Sequence, residues 1–222
     1  MTLIAEDLLL LLLDDESGKV SPWDSAELGL GGAILAELAI AGAVTVDETE
    51  SRWRSPKVRV TGPAPQDRVL ADAVDLVAEK ERHAHDLVTR LGKGKVDTLG
   101  ARLCDQGMLE RREDRMLGVL PRTRWPVADA THKVVVTRQL SSVLMQGTTP
   151  DARTGALVAV LVGIERVHKV FDHSGLSKRE VKQRAKAVTE GEWAASTVRA
   201  AVRATTAAVA AAVAASAAAS TG

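Results

Sequence analysis

Leu28-Gly29-Leu30-Gly31-Gly32-Ala33-Ile34-Leu35-Ala36-Glu37-Leu38-Ala39-Ile40 is the stretch on which the fold turns, because Glu37 is its only polar side chain. A run this long and this apolar reads as a helix, and Asp24 or Ser25 just upstream can cap it. Pro22 prevents an earlier helix from running into it. Gly29, Gly31 and Gly32 leave its first turns almost bare, so another backbone can come close. The helix is therefore expected to be central and buried.

Upstream, residues 2–13 read as a helix capped by Thr2, with Glu6 and Asp7 at the positive end of its dipole and a buried face of leucines. The run Leu8–Leu13 is too short to cross a bilayer, which takes about 20 apolar residues. No basic stretch precedes it, so it is not read as a secretory signal. Asp14–Lys19 is a turn.

Downstream, Ala43–Asp47 and Lys57–Thr61 alternate as half-buried strands do and predict a hairpin whose long tip carries Arg52, Trp53 and Arg54. Apolar residues at 70, 73, 74, 77 and 78 predict a helix over Leu70–Val88. Leu91–Val96 is a break, and Thr98–Met108 resumes as a helix that Gly107 ends. The charged segment Leu109–Val119 predicts a solvated hairpin, followed by an extended arm over Pro121–Pro126. Three more helices are expected: Asp129–Leu144, a core helix over Ala156–Val170 entered through Thr148-Thr149-Pro150-Asp151, and a basic amphipathic one over Ser177–Val188. Trp193 opens a final alanine-rich helix whose end, about 205–222, is expected to fray. The expected fold class is mainly α: a single compact helical domain over 1–222 with one or two short β-hairpins.

The 222 residues hold 29 Lys and Arg against 29 Asp and Glu, and this zero balance argues against a bulk nucleic-acid binder. The basic Arg52–Lys57 tip meets the same objection, and it lacks the stacking platforms that single strands use. The aromatic side chains are Trp23, Trp53, Trp125, Trp193 and Phe171, so the core must be aliphatic and rich in alanine. Cys104 is the one cysteine, which excludes an intramolecular disulfide and a cysteine-rich zinc site, and it reads as a core residue beside Leu99 and Leu103.

Enzyme signatures are missing. His83 and His85 would diverge on a helix and have no third ligand nearby, so no metal is expected. No Gly-x-Ser-x-Gly elbow occurs. Gly29-Leu30-Gly31-Gly32 does not fit Gly-x-Gly-x-x-Gly, and Gly92-Lys93-Gly94-Lys95 is too short for a Walker loop. No catalysis and no cofactor are expected.

One constellation carries chemistry. Lys93 and Lys95 sit in a glycine-rich loop with Arg90 just before it, and Trp23 sits in an exposed turn. Glycine frees backbone N–H groups to face an anion, and lysine adds a point charge. A half-wet tryptophan beside such a loop suits the headgroup level of a membrane.

The order of several motifs resembles the Golgi phosphoprotein 3 family. These are Leu8–Leu13 followed by Gly18-Lys19-Val20-Ser21-Pro22-Trp23-Asp24, then Gly29–Ala39, Arg124-Trp125-Pro126, and Thr149–Leu157. The last two resemble its bacterial branch, and 19 Arg against 10 Lys with 35 Ala also fits a GC-rich bacterial genome. The resemblance covers essentially the whole chain. It implies a mostly helical domain with a protruding hairpin and peripheral binding of the phosphatidylinositol 4-phosphate headgroup.

In the family's eukaryotic members the headgroup site combines a tryptophan, an arginine in the glycine-rich helix start, and two later basic residues. The tryptophan matches Trp23, the arginine falls at Gly31, and the later pair falls near Lys93 and Lys95, with Val96 an alternative register for the second. A missing arginine removes a charge-assisted hydrogen bond worth roughly 1.5–3 kcal/mol, or about tenfold to a hundredfold in affinity.

The resemblance also implies self-association through the hairpin near 109–120, with Met116, Leu117 and Val119 as an apolar grip. The expected protein is a cytoplasmic, non-catalytic binding module on the inner face of the cell membrane, with an anionic phospholipid headgroup as partner. The alternative is a protein-interaction scaffold that has lost or weakened the lipid site.

Overall fold

The computed structural model describes residues 2–21, 25–46, 56–116, 120–192, 194 and 196–219. Its organising element is helix α2 (Ala26–Ile40), which begins two residues earlier than the apolar run suggests. Leu30, Ala33, Ile34, Leu35, Ala36 and Leu38 are completely buried. The prediction of a central, buried helix is borne out.

Helix α1 (Ile4–Leu12) runs antiparallel to α2: the Ile4 N–H donates to Glu37 Oε2 at 2.7 Å, while the space beside Gly29 is closed by Leu8. Leu8 through Leu13 are all buried, so α1 shows no solvated face where one buried stripe was expected. Each such leucine contributes roughly 1.5–3 kcal/mol of burial. The cap also differs from expectation. Leu3, not Thr2, is the capping residue, and its N–H donates to Glu6 Oε2 at 2.7 Å. The Thr2 hydroxyl faces His132 Nε2 at 3.1 Å instead.

Glu6 is fully buried, so its role goes beyond the helix dipole. Its second oxygen accepts from Arg102 Nε at 3.0 Å and Gln106 Nε2 at 3.2 Å. Arg102 also forks onto Asp67, Nη1 to Oδ1 at 3.0 Å and Nη2 to Oδ2 at 2.8 Å. Beside this cluster, Arg153 donates to Glu37 and to the Thr2 carbonyl. Burial raises the affinity of Glu37 for its proton, against the opposing pull of Arg153 and the Ile4 N–H.

Strands β1 (Val44–Val46) and β2 (Lys57–Val60) pair antiparallel with Val44 opposite Val60, as expected; the basic tip with Arg52, Trp53 and Arg54 lies outside the described residues. The single helix expected over Leu70–Val88 is two. Helix α3 (Arg68–Glu79) ends where Lys80 turns extended, and β3 (Arg82–His83) joins β2 before α4 (Ala84–Gly92) begins. The edge of β2 supplies partners that local periodicity cannot see, and Arg82 Nη1 closes the end of α3 by donating to the Leu76 carbonyl at 2.6 Å. His83 is therefore not helical, and its ring stacks on His85 at 6.0 Å instead of diverging.

Helix α5 (Lys95–Asp105) starts three residues before its expected position, and Cys104 is half-buried against the core. The second hairpin, β4 (Arg112–Met116) and β5 (Leu120–Arg124), absorbs the expected arm as its second strand. Trp125 at its base is buried. Its ring fills the space a Cβ at Gly100 would need, its N–H donates to the Gly18 carbonyl at 2.9 Å, and its Nε1 donates to Asp97 Oδ1 at 3.3 Å.

Helices α6 (Thr131–Gln146), α7 (Ala152–Gly163), α8 (Lys178–Glu190) and α9 (Ser196–Ala219) complete the fold. The core helix is shorter than expected: after α7 a 3₁₀ turn covers Val167–Lys169. Val209 of α9 packs into the gaps left by Gly32 and Gly163, while 214–219 are exposed. Among the described residues α9 is the one helix long and apolar enough to cross a membrane by length and composition, but Ala201, Val202, Thr205, Ala208 and Val209 are buried in the core. Trp193 lies outside the described residues. One hydrophobic core runs from Leu3 to Val209, and the mainly α expectation holds.

Candidate functional site

The α4–α5 connection lies against the first turn of α2, and glycine is the reason. A Cβ on Gly31 would stand 1.9 Å from the Val88 carbonyl oxygen, and one on Gly92 would stand 1.7 Å from that of Glu27. The two helices are thus in backbone contact, antiparallel, with Glu27 beside Gly92 and Gly31 beside Val88. Glu27 ties the corner by accepting the Gly94 N–H at 2.8 Å. Gly94 itself is left-handed at φ 70°, which lets α4 end and α5 begin across two residues.

This packing sets where the predicted site residues stand. Arg90 is exposed in the last turn of α4, Lys93 is exposed at its C-cap, and Lys95 opens α5 half-exposed. None of the three has a hydrogen-bond or ion-pair partner among the described residues. Trp23 lies outside the described residues, two peptide units from Ser25. Ser25, in left-handed conformation at φ 47°, is the residue from which α2 starts. The structure therefore brings the entry to α2 together with the Lys93–Lys95 loop, although they are about 70 residues apart in sequence.

Gly31 corrects the idea of a vacant arginine position. In this packing no side chain of any kind fits at residue 31, because the Val88 carbonyl occupies the place of its Cβ. Sequence reading had found the glycines but not Glu27, an acidic residue in a first helical turn with no local mark of a distant partner. The corner consequently offers three cations, the start of α5 and two carboxylates, Glu27, which already holds a backbone donor, and Asp97, which accepts from Trp125.

Two further features lie at this end of α2. Ile164, just past α7, touches the space at Gly29. A cavity of about 580 Å³ runs from Leu11–Leu13 past Lys19 and Ser21 to Arg166 and Lys169, with Asp14, Asp15 and Glu16 on its rim. Lys133 reaches into it, donating to Asp15 and to the Leu13 carbonyl at 3.0 Å. No group of His, Cys, Asp and Glu among the described residues could hold a metal ion. Of the expected self-association residues, Met116 ends β4, and Leu117 and Val119 lie outside the described residues.

A mainly helical fold with two small antiparallel sheets, built on a glycine-lined central helix and carrying a basic loop against that helix's start, defines a mainly helical module with a basic corner. The chain belongs to the Golgi phosphoprotein 3 family: the model for Golgi phosphoprotein 3 (GPP34) matches residues 4–205. The family is not a known enzyme family. No curated protein matches the chain.

Proposed function

We propose that this protein is a non-catalytic, peripheral membrane module of the cytoplasm that recognises an anionic, phosphoinositide-type headgroup, similar to phosphatidylinositol 4-phosphate. The observation that carries the reading is the corner itself. The Glu27–Gly94 hydrogen bond holds Lys93 and Lys95, with Arg90 behind them, beside the first turn of α2, which follows Trp23 closely in sequence. Lysine and arginine supply charge to a phosphate, the start of α5 supplies N–H groups, and tryptophan supplies an interfacial anchor. Family membership favours the same reading.

Flotation with phosphatidylinositol 4-phosphate vesicles and with neutral vesicles tests it. Recovery should favour the phosphoinositide and fall about tenfold or more in Trp23→Ala plus Lys93→Ala. Equal recovery on both lipids, unchanged by the variant, refutes it.

One observation favours a second reading, a protein-interaction scaffold. The Glu27 carboxylate takes the loop N–H that a phosphate would use, and residue 31 has no room for an arginine. A partner that co-purifies regardless of lipid supports the scaffold.

A further inference from the structure

Charge along this neutral chain is not evenly spread. Between Arg166 and Lys186 stand seven Lys and Arg residues against Asp172 and Glu180 alone. The fold gathers most of these cations on one surface. Val181 and Ala185 bury the inner side of α8, leaving Lys178, Arg179 and Lys182 exposed on the outer side. The 3₁₀ turn packs against this helix, so His168 joins Lys178, Arg179, Lys182 and Gln183 around a shallow depression of about 460 Å³. Both acidic residues of the segment are engaged locally. Glu180 accepts from the Ser177 N–H and hydroxyl at 2.8 and 2.6 Å, and Asp172 accepts from Ser174. Lys182 has one exposed carboxylate, Glu165, at 3.3 Å, whereas Lys169, Lys178 and Arg179 have no partner among the described residues. Burial holds His168 below its ordinary pKa, and the charges of Lys182, Lys178 and Lys169 add to that, as a net positive potential requires.

The patch and the headgroup corner lie toward the same end of α2 but on different sides of it, Gly29 meeting Ile164 and Gly31 meeting Val88. Glu165 and Ser25 are the two non-glycine residues with left-handed backbone among the described residues. Glu165 turns the chain out of α7 next to Ile164, which touches α2 at Gly29. Lys169 lines the cavity that also holds Lys19 and Ser21, the last described residue before Trp23. The Lys93–Lys95 loop meets the first turn of α2, and the patch follows the end of α7, where Ile164 meets Gly29.

We infer that the surface formed by Lys169, Lys178, Arg179 and Lys182 is a second membrane contact, which reads the bulk negative charge of an anionic bilayer and not a particular headgroup. It rests on the peripheral-membrane reading above. Long, flexible, exposed cations, three of the four without a partner among the described residues, suit a diffuse array of lipid charges, because they need no fixed partner geometry. The bilayer is favoured over nucleic acid because no Phe, Tyr or Trp lines the patch and its one ring, that of His168, is half-buried.

Three vesicle types separate the two contacts: phosphatidylcholine alone, phosphatidylcholine with phosphatidylserine, and phosphatidylcholine with phosphatidylinositol 4-phosphate. Binding to phosphatidylserine vesicles should weaken about 25-fold in Lys178→Gln plus Arg179→Gln at low salt, and should fade for the natural chain as salt rises. The same variant should keep its preference for phosphoinositide over phosphatidylcholine, whereas Lys93→Ala plus Lys95→Ala should lose that preference. Undiminished binding of the Lys178/Arg179 variant to phosphatidylserine vesicles overturns the inference, as does failure of the natural chain to bind them. A patch-dependent shift of polyuridylate without any vesicle binding overturns it in favour of nucleic acid. If phosphatidylserine binding depends on Lys178 and Arg179 but no phosphoinositide preference exists, this contact stands and the headgroup site falls. An unchanged urea midpoint shows that the exposed substitutions leave the fold intact.

Discussion

Replacing Gly31 with alanine tests the backbone contact that organises both the fold and the candidate site. The new methyl would lie 1.9 Å from the Val88 carbonyl oxygen and 2.8 Å from the Gly92 nitrogen. Ordinary contact begins at about 3.4 Å, so α2 and α4 must separate by roughly 1.5 Å where they touch. A gap of 0.5–1 Å already forfeits about a quarter to a half of the dispersion attraction across an interface. Overpacking of this kind costs typically about 1–3 kcal/mol and more where backbone is the obstacle. Alanine recovers about 1 kcal/mol of helix propensity, so with the cost at the top of that range or above it a net loss of about 2 kcal/mol or more is expected.

Gly29→Ala is the internal comparison. Its Cβ would meet only methyl groups of Leu8 and Ile164, at 3.1–3.3 Å, which can shift by a few tenths of an ångström. The propensity gain then offsets the crowding, and stability should change by less than about 1 kcal/mol. Urea denaturation at constant m-value measures both. A Gly31→Ala protein as stable as the natural one, or two equal losses, refutes the close-approach argument. Gly31→Arg, the substitution that would restore the family's arginine, should be more damaging than Gly31→Ala.

Two other predictions concern the buried charges at the opposite end of α1 and α2. Arg102→Ala leaves Glu6 fully buried without its counter-ion and unties Asp67, so it should destabilise by about 3 kcal/mol or more in the same urea assay; a loss under about 1 kcal/mol would contradict the network. Burial pushes the Asp67 carboxyl upward, but the hydrogen bonds and charge of Arg102, with the Leu70 and Val69 N–H groups, outweigh it and hold the group below its ordinary 3.8. A depressed carboxyl binds its proton more weakly in the native state, so its stabilisation is present above the unfolded value and is lost as pH falls through the lower folded value. Asp67→Asn should therefore flatten the acid limb of stability against pH, and an unchanged limb would show that Asp67 does not contribute to it.

Most elements could be read along the chain because their signals are local. The Ser177 cap with Glu180 three residues on, the glycines at 94 and 107, and the apolar run of α2 each act within one or two turns. The exceptions had partners far away in sequence. Arg82 and His83 left the helical pattern to pair with β2, and α1 was buried all round because α2, α5, α6 and α7 pack on it. The candidate site divides in the same way. The side chains with phosphate chemistry, Lys93, Lys95 and Arg90, were legible as residue types in a glycine-rich loop, and the family's motifs pointed to the same loop.

What the sequence by itself determined was a mainly helical chain with an aliphatic, alanine-rich core and a glycine-rich central helix, since periodicity, capping and side-chain volume are properties of neighbours along the chain. What only the tertiary structure decided was which surfaces meet. It placed Glu27 on Gly94, closed position 31 to any side chain with the Val88 carbonyl, and gathered the cations of α8 and the turn before it at the end where α2 begins. Those outcomes depend on the distance between backbones that are remote in sequence, and a single carbonyl oxygen in place of open solvent changes what a residue there can do.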